Sequence, residues 1–359
     1  MFRFCFIFFS LLLCLPCFPA RTLRSNPSTE LTAVHAQNNP NTTRDFTKFL
    51  DAGKGSHVSG MSELKKYFQQ FGYLDEDEQI PISNLTDVFD DSFESAVRNY
   101  QTTLGLSVTG KLDSDTVSQL MAPRCGVADH AASVTAHYAY FYGEPRWARP
   151  SPMTLTYALS PDYSIDYIAR SDIESVFERA FSRWSAVIPV NFTAAEEYWA
   201  ADIKIGFFSG EHGDGEPFDG VLGVLAHAFS PQDGRFHLDA AERWAVDFET
   251  EKSRVAVDLE SVATHEIGHV LGLGHTSVKE AVMYPSLSPR KTKVELKIDD
   301  VEGVQALYGS NPNFNFNSLL ESDTSSCWAV GFGARPSLWA TAWVMIVLTC
   351  LFGFFDHMI

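Results

Sequence analysis

From Met61 the apolar positions recur every three or four residues, at Leu64, Tyr67, Phe68 and Phe71, before Gly72. This spacing predicts a helix with a glycine stop. A second helix is predicted over Asp91–Thr103, with Phe93, Val97 and Tyr100 on one face and Gly105 after it. A third spans Asp113–Met121, capped by Asp113 and carrying Val117 and Leu120. The pattern then alternates over Met153–Leu159, as a half-buried strand does. Ser164–Val187 reads as a long amphipathic helix through Ile168, Ile173, Val176, Phe177, Ala180, Phe181 and Trp184. Val190–Thr193 and Asp202–Phe208 read as further strands, Val257–Leu273 as a helix, and Asp299–Tyr308 as a closing helix ended by Gly309.

The chain has 359 residues, enough for about two domains. Its formal net charge is −18. That argues against a nucleic-acid partner, whose phosphates call for a basic face. Residues 1–20 combine Arg3, an apolar run and small residues near Ala20, the pattern of a signal peptide. Sequons at Asn41, Asn84 and Asn191 are compatible with that route and are candidate glycosylation sites. Residues 21–55 are polar and read as a flexible lead-in. Cys5, Cys14 and Cys17 fall in the signal peptide and Cys350 in a C-terminal apolar run, leaving Cys125 and Cys327. A cysteine isolated between two predicted domains, Cys125, needs a reason of its own.

The chemistry concentrates in Val262–His275, VATHEIGHVLGLGH. On a helix, i and i+4 share a face, so His265 and His269 present two imidazoles to one ion. Glu266 sits beside them, placed for general-base work on a water. Gly272 lets the chain leave the helix and bring His275 back as a third ligand. Three protein nitrogens and one open position suit a catalytic zinc.

The extended form H-E-x-x-H-x-x-G-x-x-H, followed by Met283 in an Ala-Val-Met-Tyr-Pro turn, resembles the metzincin zinc peptidases, and its flanks resemble the matrixins. The resemblance covers roughly Met61–Gly309. It implies an α+β zincin-type fold: a twisted, mostly parallel sheet with two long helices and a short third, after a three-helix peptidoglycan-binding-like prodomain. The implied layout is prodomain 56–122, switch and activation linker 123–145, catalytic domain 146–309, polar linker 310–326 and anchor signal 327–359. PRCGVAD, Pro123–Asp129, resembles the cysteine switch of matrixin prosegments. It implies Cys125 as a fourth ligand that silences the zinc, with Arg124 and Asp129 paired to brace the loop. Ala128 stands where the family usually has proline, a departure expected to loosen that loop.

The same resemblance implies a structural zinc on His212, Asp214, His227 and His237. It also implies a calcium held by Asp219, Asp239 and Glu242 with carbonyls of Gly220, Leu222 and Val224, and a second calcium on Asp202. Met283 forms the floor beneath the catalytic zinc. Asp299 or Asp300 braces the methionine turn or anchors a new amino terminus. Pro285–Leu287 walls the pocket for the residue after the scissile bond, and small Ser261 implies an open apolar pocket taking Leu, Met or larger. The expected partners are protein or peptide substrates, an activating protease and metalloproteinase inhibitors. After Gly309 no room is left for a hemopexin-type propeller. Leu338–Phe355 is apolar after small residues around Ser325, which fits a GPI-anchor signal at the outer face of the plasma membrane better than a spanning helix. These absences and the anchor make the plant matrixins the nearest likeness. The contrasting reading is a non-catalytic surface protein whose helical module binds glycans. Glu266, kept beside intact ligands, argues against it.

Overall fold

The computed structural model describes residues 45–74, 85–129, 133–135 and 138–315. The expected signal peptide, Asn41, Asn84, Ser325, Cys327 and the apolar tail lie outside the described residues. No helix among the described residues is long and apolar enough to cross a membrane.

The first domain is built on α1 (Met61–Gln70), α2 (Asp91–Thr103) and α3 (Ser114–Leu120). The carboxylates of Asp90 and Asp113 accept the N–H groups of Phe93 and Thr116, which sets the starts of α2 and α3. Leu64, Phe68, Phe93, Val97, Tyr100, Val117 and Leu120 meet inside, with the Phe68 and Phe93 rings edge to face at 4.9 Å. The lead-in is shorter than expected. Thr47–Phe49 forms a turn of 3₁₀ helix, and Phe46 and Phe49 enter this core. Their polar neighbours mask two aromatic anchors too close together to show a period. The same cluster takes in Phe218, Val224 and Tyr284 of the second domain, so the helical module packs on its neighbour.

In chain order the remaining elements are β1 (Arg124–Cys125), β2 (Ser133–Thr135), β3 (Tyr138–Tyr140), β4 (Met153–Leu159), α4 (Arg170–Val187), β5 (Val190–Ala194), β6 (Ile203–Phe208), β7 (Val224–Ala228), β8 (Arg235–Asp239), β9 (Trp244–Ala245), β10 (Val257–Asp258), α5 (Leu259–Val270) and α6 (Ile298–Tyr308). The main sheet runs β1-β7-β8-β6-β4-β5 and is parallel except for β7 against β8. This is the α+β, mostly parallel arrangement expected.

Helix α4 begins six residues later than its apolar period suggests, at Arg170. Ala169 is extended, and the Arg170 guanidinium donates to the carbonyls of Leu159 and Ser160, anchoring the turn there. Ile165 and Ile168 still reach the core, from a loop. The predicted helix at 257 is in fact a two-residue strand, β10, followed by α5, whose N-cap Asp258 accepts from Ser261 N–H at 2.9 Å. Phe177, Phe181 and Trp184 of α4 share the core with Ala263, Ile267 and Val270 of α5, and the Trp184 indole donates to Thr264 O at 2.9 Å. This seats the central helix against the sheet.

Candidate metal centre and active-site cleft

On α5, His265 and His269 lie one turn apart, with Nε2 atoms 3.1 Å from each other. Gly272 has φ +105°, and a Cβ there would meet Pro145 O at 2.3 Å, so only glycine serves this exit. The chain then delivers His275, whose Nε2 lies 3.3 Å from that of His265 and 3.1 Å from that of His269. Cys125 Sγ lies 3.4 Å from His269 Nε2. All four residues are buried.

The outer nitrogens explain why this cluster needs a cation. His265 Nδ1 faces Val282 O at 2.7 Å, His269 Nδ1 faces Leu273 O at 2.8 Å, and His275 Nδ1 faces Asp129 Oδ1 at 2.7 Å. Each partner is an acceptor, so each Nδ1 carries the proton and each Nε2 presents a lone pair inward. Three converging lone pairs repel unless a metal ion lies among them. Bonds of ~2.0–2.1 Å to a tetrahedral zinc give ligand separations of ~3.3 Å, matching the observed edges.

Cys125 is delivered by backbone pairing. β1 lies parallel to β7, with Arg124 N–H on Gly223 O at 3.0 Å and Gly126 N–H on Ala226 O at 2.8 Å. On the other side Cys125 N–H donates to Pro285 O at 2.8 Å and Leu287 N–H to Pro123 O at 3.1 Å. Strand β1 therefore fills the cleft between β7 and the Pro285–Leu287 wall. Arg124 and Asp129 form the expected pair at 2.7 Å, both buried, with the guanidinium 3.7 Å from the Phe71 ring centre. Burial works to raise the Asp129 carboxyl, but Arg124 and His275 outweigh it and hold it well below the usual range. Tyr73 OH donates to its other oxygen at 2.5 Å. With Asp129 N–H also on Phe71 O at 3.2 Å, the loop is pinned despite Ala128. The contacts of Asp129 with His275 and Tyr73 were not foreseen, because they join residues 146 and 56 positions apart.

Glu266 is fully buried, with the Cys125 thiol as the neighbour that acts on its carboxyl. Burial pushes its carboxyl up to about 8 against the weaker pull of the Cys125 thiol. Burial likewise pushes that thiol up, and Glu266 adds to the shift. Met283 packs under the helix: a Cβ on Gly268 would meet its sulfur at 2.2 Å. Between the two candidates for bracing this turn, the structure selects Asp300, which accepts from Val282 N–H and Met283 N–H at 2.9 Å each.

The second cluster rests on the β7–β8 pairing, which sets His227 opposite His237. Asp214 Oδ2 lies 2.8 Å from His212 Nε2, His227 Nε2 and His237 Nδ1. His212 Nδ1 is tied to Gly210 O at 2.9 Å, so its Nε2 lone pair faces a carboxylate oxygen, again a cation-seeking arrangement. Burial and neighbouring His227 push His237 down to about 4.

Nearby, Asp219, Asp239 and Glu242 surround a loop. Burial raises Asp239 to about 6 and Glu242 to about 8, the neighbouring carboxylates adding to both. The amide groups of Gly220, Leu222 and Val224 point at these carboxylates, at 3.1, 2.6 and 2.7 Å. Asp202, expected at a second calcium, is held by protein donors in this structure. It pairs with Arg149 through Oδ1 and accepts from Thr156 N–H and Oγ1 through Oδ2 at 2.9 and 3.0 Å, so donors engage both of its oxygens. Asn191 is exposed on edge strand β5.

Beside Glu266 and His265 opens a narrow side pocket, walled by Ser261, Val262, Tyr284, Leu287 and Lys293. Lys293 departs from the expected apolar lining. No spacing rule pointed to it, since it reaches the pocket from a loop.

The family profile for Matrixin matches residues 146–309, and a profile for a peptidoglycan binding domain matches residues 58–120. Metalloendoproteinase 1-MMP of Arabidopsis thaliana is 52% identical over 324 residues, 86% of this chain and 86% of that protein. Metalloendoproteinase 4-MMP of the same plant is 57% identical over 80% of this chain and 84% of its own length. Metalloendoproteinase 1 of Glycine max is 44% identical over 74% of this chain and 87% of its own length. With His265, Glu266, His269 and His275 gathered as the motif requires, the chain belongs to the matrixin family and is a zinc metalloendopeptidase.

Proposed function

We propose that this protein is made as a latent, secreted precursor and acts at the cell surface as a calcium-stabilised zinc endopeptidase on extracellular proteins. The observation that carries the reading is the convergence of three inward-facing Nε2 lone pairs beside Glu266, with Cys125 closing the fourth side. His265, His269 and His275 would hold the catalytic zinc. His212, Asp214, His227 and His237 would hold a structural one. Asp219, Asp239 and Glu242, with the Gly220, Leu222 and Val224 backbone, would hold calcium. The signal-like residues 1–20, the sequons and the apolar tail with Ser325 support secretion, glycosylation and GPI anchoring.

When bound, zinc supplies a Lewis acid that polarises the scissile carbonyl and acidifies water. The protein's share is to orient and to move a proton. The Val282, Leu273 and Asp129 acceptors fix the three imidazoles. Glu266, buried and kept ionised by the neighbouring cation when one is bound, would take the proton of the attacking water and return it to the leaving amine. Met283 keeps the floor apolar. Removing the prosegment withdraws Cys125 and clears the groove along β7 for substrate. An activating protease makes that cut, and metalloproteinase inhibitors would occupy the same groove.

The test uses the precursor with and without Glu266→Ala. Metal content and cleavage of a quenched fluorogenic peptide are measured before and after prosegment removal. About two zinc ions per chain are expected. Chelator-sensitive cleavage should appear only after removal, and the variant should be slower by about 10²–10⁴-fold with its zinc retained. Normal cleavage by the variant overturns the role of Glu266.

A further inference from the structure

In a chain of net charge −18, the segment from Lys279 to Lys297 has the opposite sign: Lys279, Arg290, Lys291, Lys293 and Lys297 stand against Glu280 and Glu295. Two of these charges are engaged in holding the fold. The Arg290 guanidinium donates to the carbonyls of Glu251, Ser253 and Phe248 at 2.9, 3.0 and 3.1 Å, and Glu295 pairs with Arg183 at 3.0 Å. The four lysines instead line one wide groove, outside the Tyr284–Leu287 wall of the cleft. Lys279 and Lys291 are exposed and Lys293 is half-buried. Among the described residues no carboxylate forms an ion pair with any of these three. Lys293 Nζ donates to Lys279 O at 3.0 Å, which keeps its ammonium on the groove side, and two of its three donors remain for a ligand.

The groove continues the cleft. Strand β1 leaves the cleft where Leu287 N–H meets Pro123 O at 3.1 Å, and the residues before Pro123 pass over the lysines. Ala122 and Gln119 line the groove there. Gln119 donates to Ser286 Oγ at 2.7 Å and accepts from Tyr284 OH at 3.1 Å, so it is held by the wall and not by an ammonium. Both residues that this segment places in the groove are neutral. The lysines therefore keep their charge open for whatever chain replaces it. Cys125 faces the metal cluster and Ala122 already lines the groove, so an extended chain in the cleft enters the groove about three residues from the metal.

We propose that this groove is an exosite for acidic polypeptide: substrates that carry aspartate or glutamate from about the third residue after the cleaved bond dock them on Lys279, Lys291 and Lys293. The residue directly after the bond is still taken by the pocket beside Glu266. A basic groove that continues the cleft draws in an acidic segment and sets its register without touching the chemistry. The pairs lie near the surface, so each is weak and screened by salt, and the preference comes from several acting together. The net negative charge of the rest of the chain adds to the discrimination, because an acidic segment finds only this face of the cleft wall attractive.

The proposal rests on the peptidase reading, in which Pro285–Leu287 walls the side after the cleaved bond, and its test separates the two. Full-length precursor is activated by prosegment removal and given three quenched peptides with leucine after the cleaved bond. They differ only at the third to fifth positions beyond it: Asp-Glu-Asp, Asn-Gln-Asn or Lys-Lys-Lys. At about 20 mM salt the wild type should favour the acidic peptide over the neutral one by about 5–20-fold in kcat/KM, mainly through KM, and by less than about twofold at ~0.5 M salt. Lys279→Glu with Lys291→Glu should reverse the order, favouring the lysine peptide and cutting the neutral one within about twofold of the wild-type rate. A purely structural role of these lysines would slow all three peptides alike. Lys279→Gln with Lys291→Gln takes the place of the reversed variant should that one fail to fold, and should reduce the acidic preference to below about twofold. An acidic peptide cut no faster than the neutral one at low salt, or a preference that survives loss or reversal of the charges, overturns the proposal. Failure of the zinc-loaded wild type to cut any of the three peptides overturns the peptidase reading, and the exosite with it.

Discussion

The two four-membered clusters look alike in composition and differ in where their members come from. His212, Asp214, His227 and His237 all lie within one segment of the catalytic domain, and the carboxylate that closes the set is Asp214 itself. His265, His269 and His275 also come from one segment, but the atom that closes them, Cys125 Sγ, arrives from the prosegment. The outer contacts repeat the contrast. Val282 and Leu273 carbonyls orient two of the imidazoles from within the domain, whereas His275 is oriented by Asp129, again from the prosegment. A cluster closed by its own chain segment is built to stay shut. In the maturation proposed above, the cluster closed by strand β1 is the one that opens, and its third ligand, His275, then loses its Asp129 partner.

Breaking the closed cluster should have the largest effect. Asp214→Ala leaves His212, His227 and His237 without their common anion. Such a loss in a buried charged group costs about 3–5 kcal/mol. For a domain of this size that lowers the melting temperature by roughly 10 °C or more. One of two bound zinc ions should go, while the cluster around His265 keeps its own. Metal analysis and differential scanning calorimetry check this; loss of both metals together would show that the clusters are not independent.

A smaller change is expected at the open cluster. Asp129→Asn keeps the shape but removes the negative charge that His275 and Arg124 share. Outer partners of metal-bound histidines typically contribute about 10–100-fold in affinity. The precursor should therefore release one zinc to a chelator faster by about that factor, and the second at an unchanged rate. Once the prosegment is gone, variant and wild type should be indistinguishable, because Asp129 has left with it. A difference that survives prosegment removal would mean that the substitution acts through folding.

The legible parts of this molecule were those that repeat at a short period or stand at fixed spacing. Helices α2, α3 and α6, strand β4, and the histidines of α5 followed from local pattern. Strands β7 and β8 did not, because VLAHA and RFHLD carry histidine where a strand reader wants aliphatic residues, although that histidine pair is what their register aligns. Phe46 and Phe49 were hidden in a polar stretch. Asp129 was legible as the partner of Arg124, five residues away, but not of His275 or Tyr73. Asp202 was legible as a hard carboxylate suited to calcium, but not as the partner of Arg149, 53 positions away. Lys293 reaches its pocket through a backbone bond to Ser261, which no sequence interval encodes.

The acidic loop beside the closed cluster offers the finest test of what holds that half of the molecule. Asp239 and Glu242 are raised to about 6 and about 8 by burial, from ordinary values near ~4. A carboxyl raised in the folded state favours folding while it is protonated. Its contribution is complete below its unfolded value and is lost as pH rises through the folded one. Without calcium, stability should therefore decline from about pH 4 to about pH 8 as this pair ionises. Calcium favours the ionised form, so its stabilisation must grow over the same interval. A tenfold excess over its Kd contributes about 1.4 kcal/mol, or roughly 3–6 °C in melting temperature. That rise is expected near pH 8 and should shrink to about a degree near pH 5, where the protons hold the places the cation would take. Glu242→Gln should leave only the Asp239 part of that pH dependence, near pH 6, without disturbing the metals at the two histidine clusters. An equal rise at both pH values would mean that calcium binds elsewhere, and that the loop beside His227 and His237 is held by its amide hydrogen bonds alone.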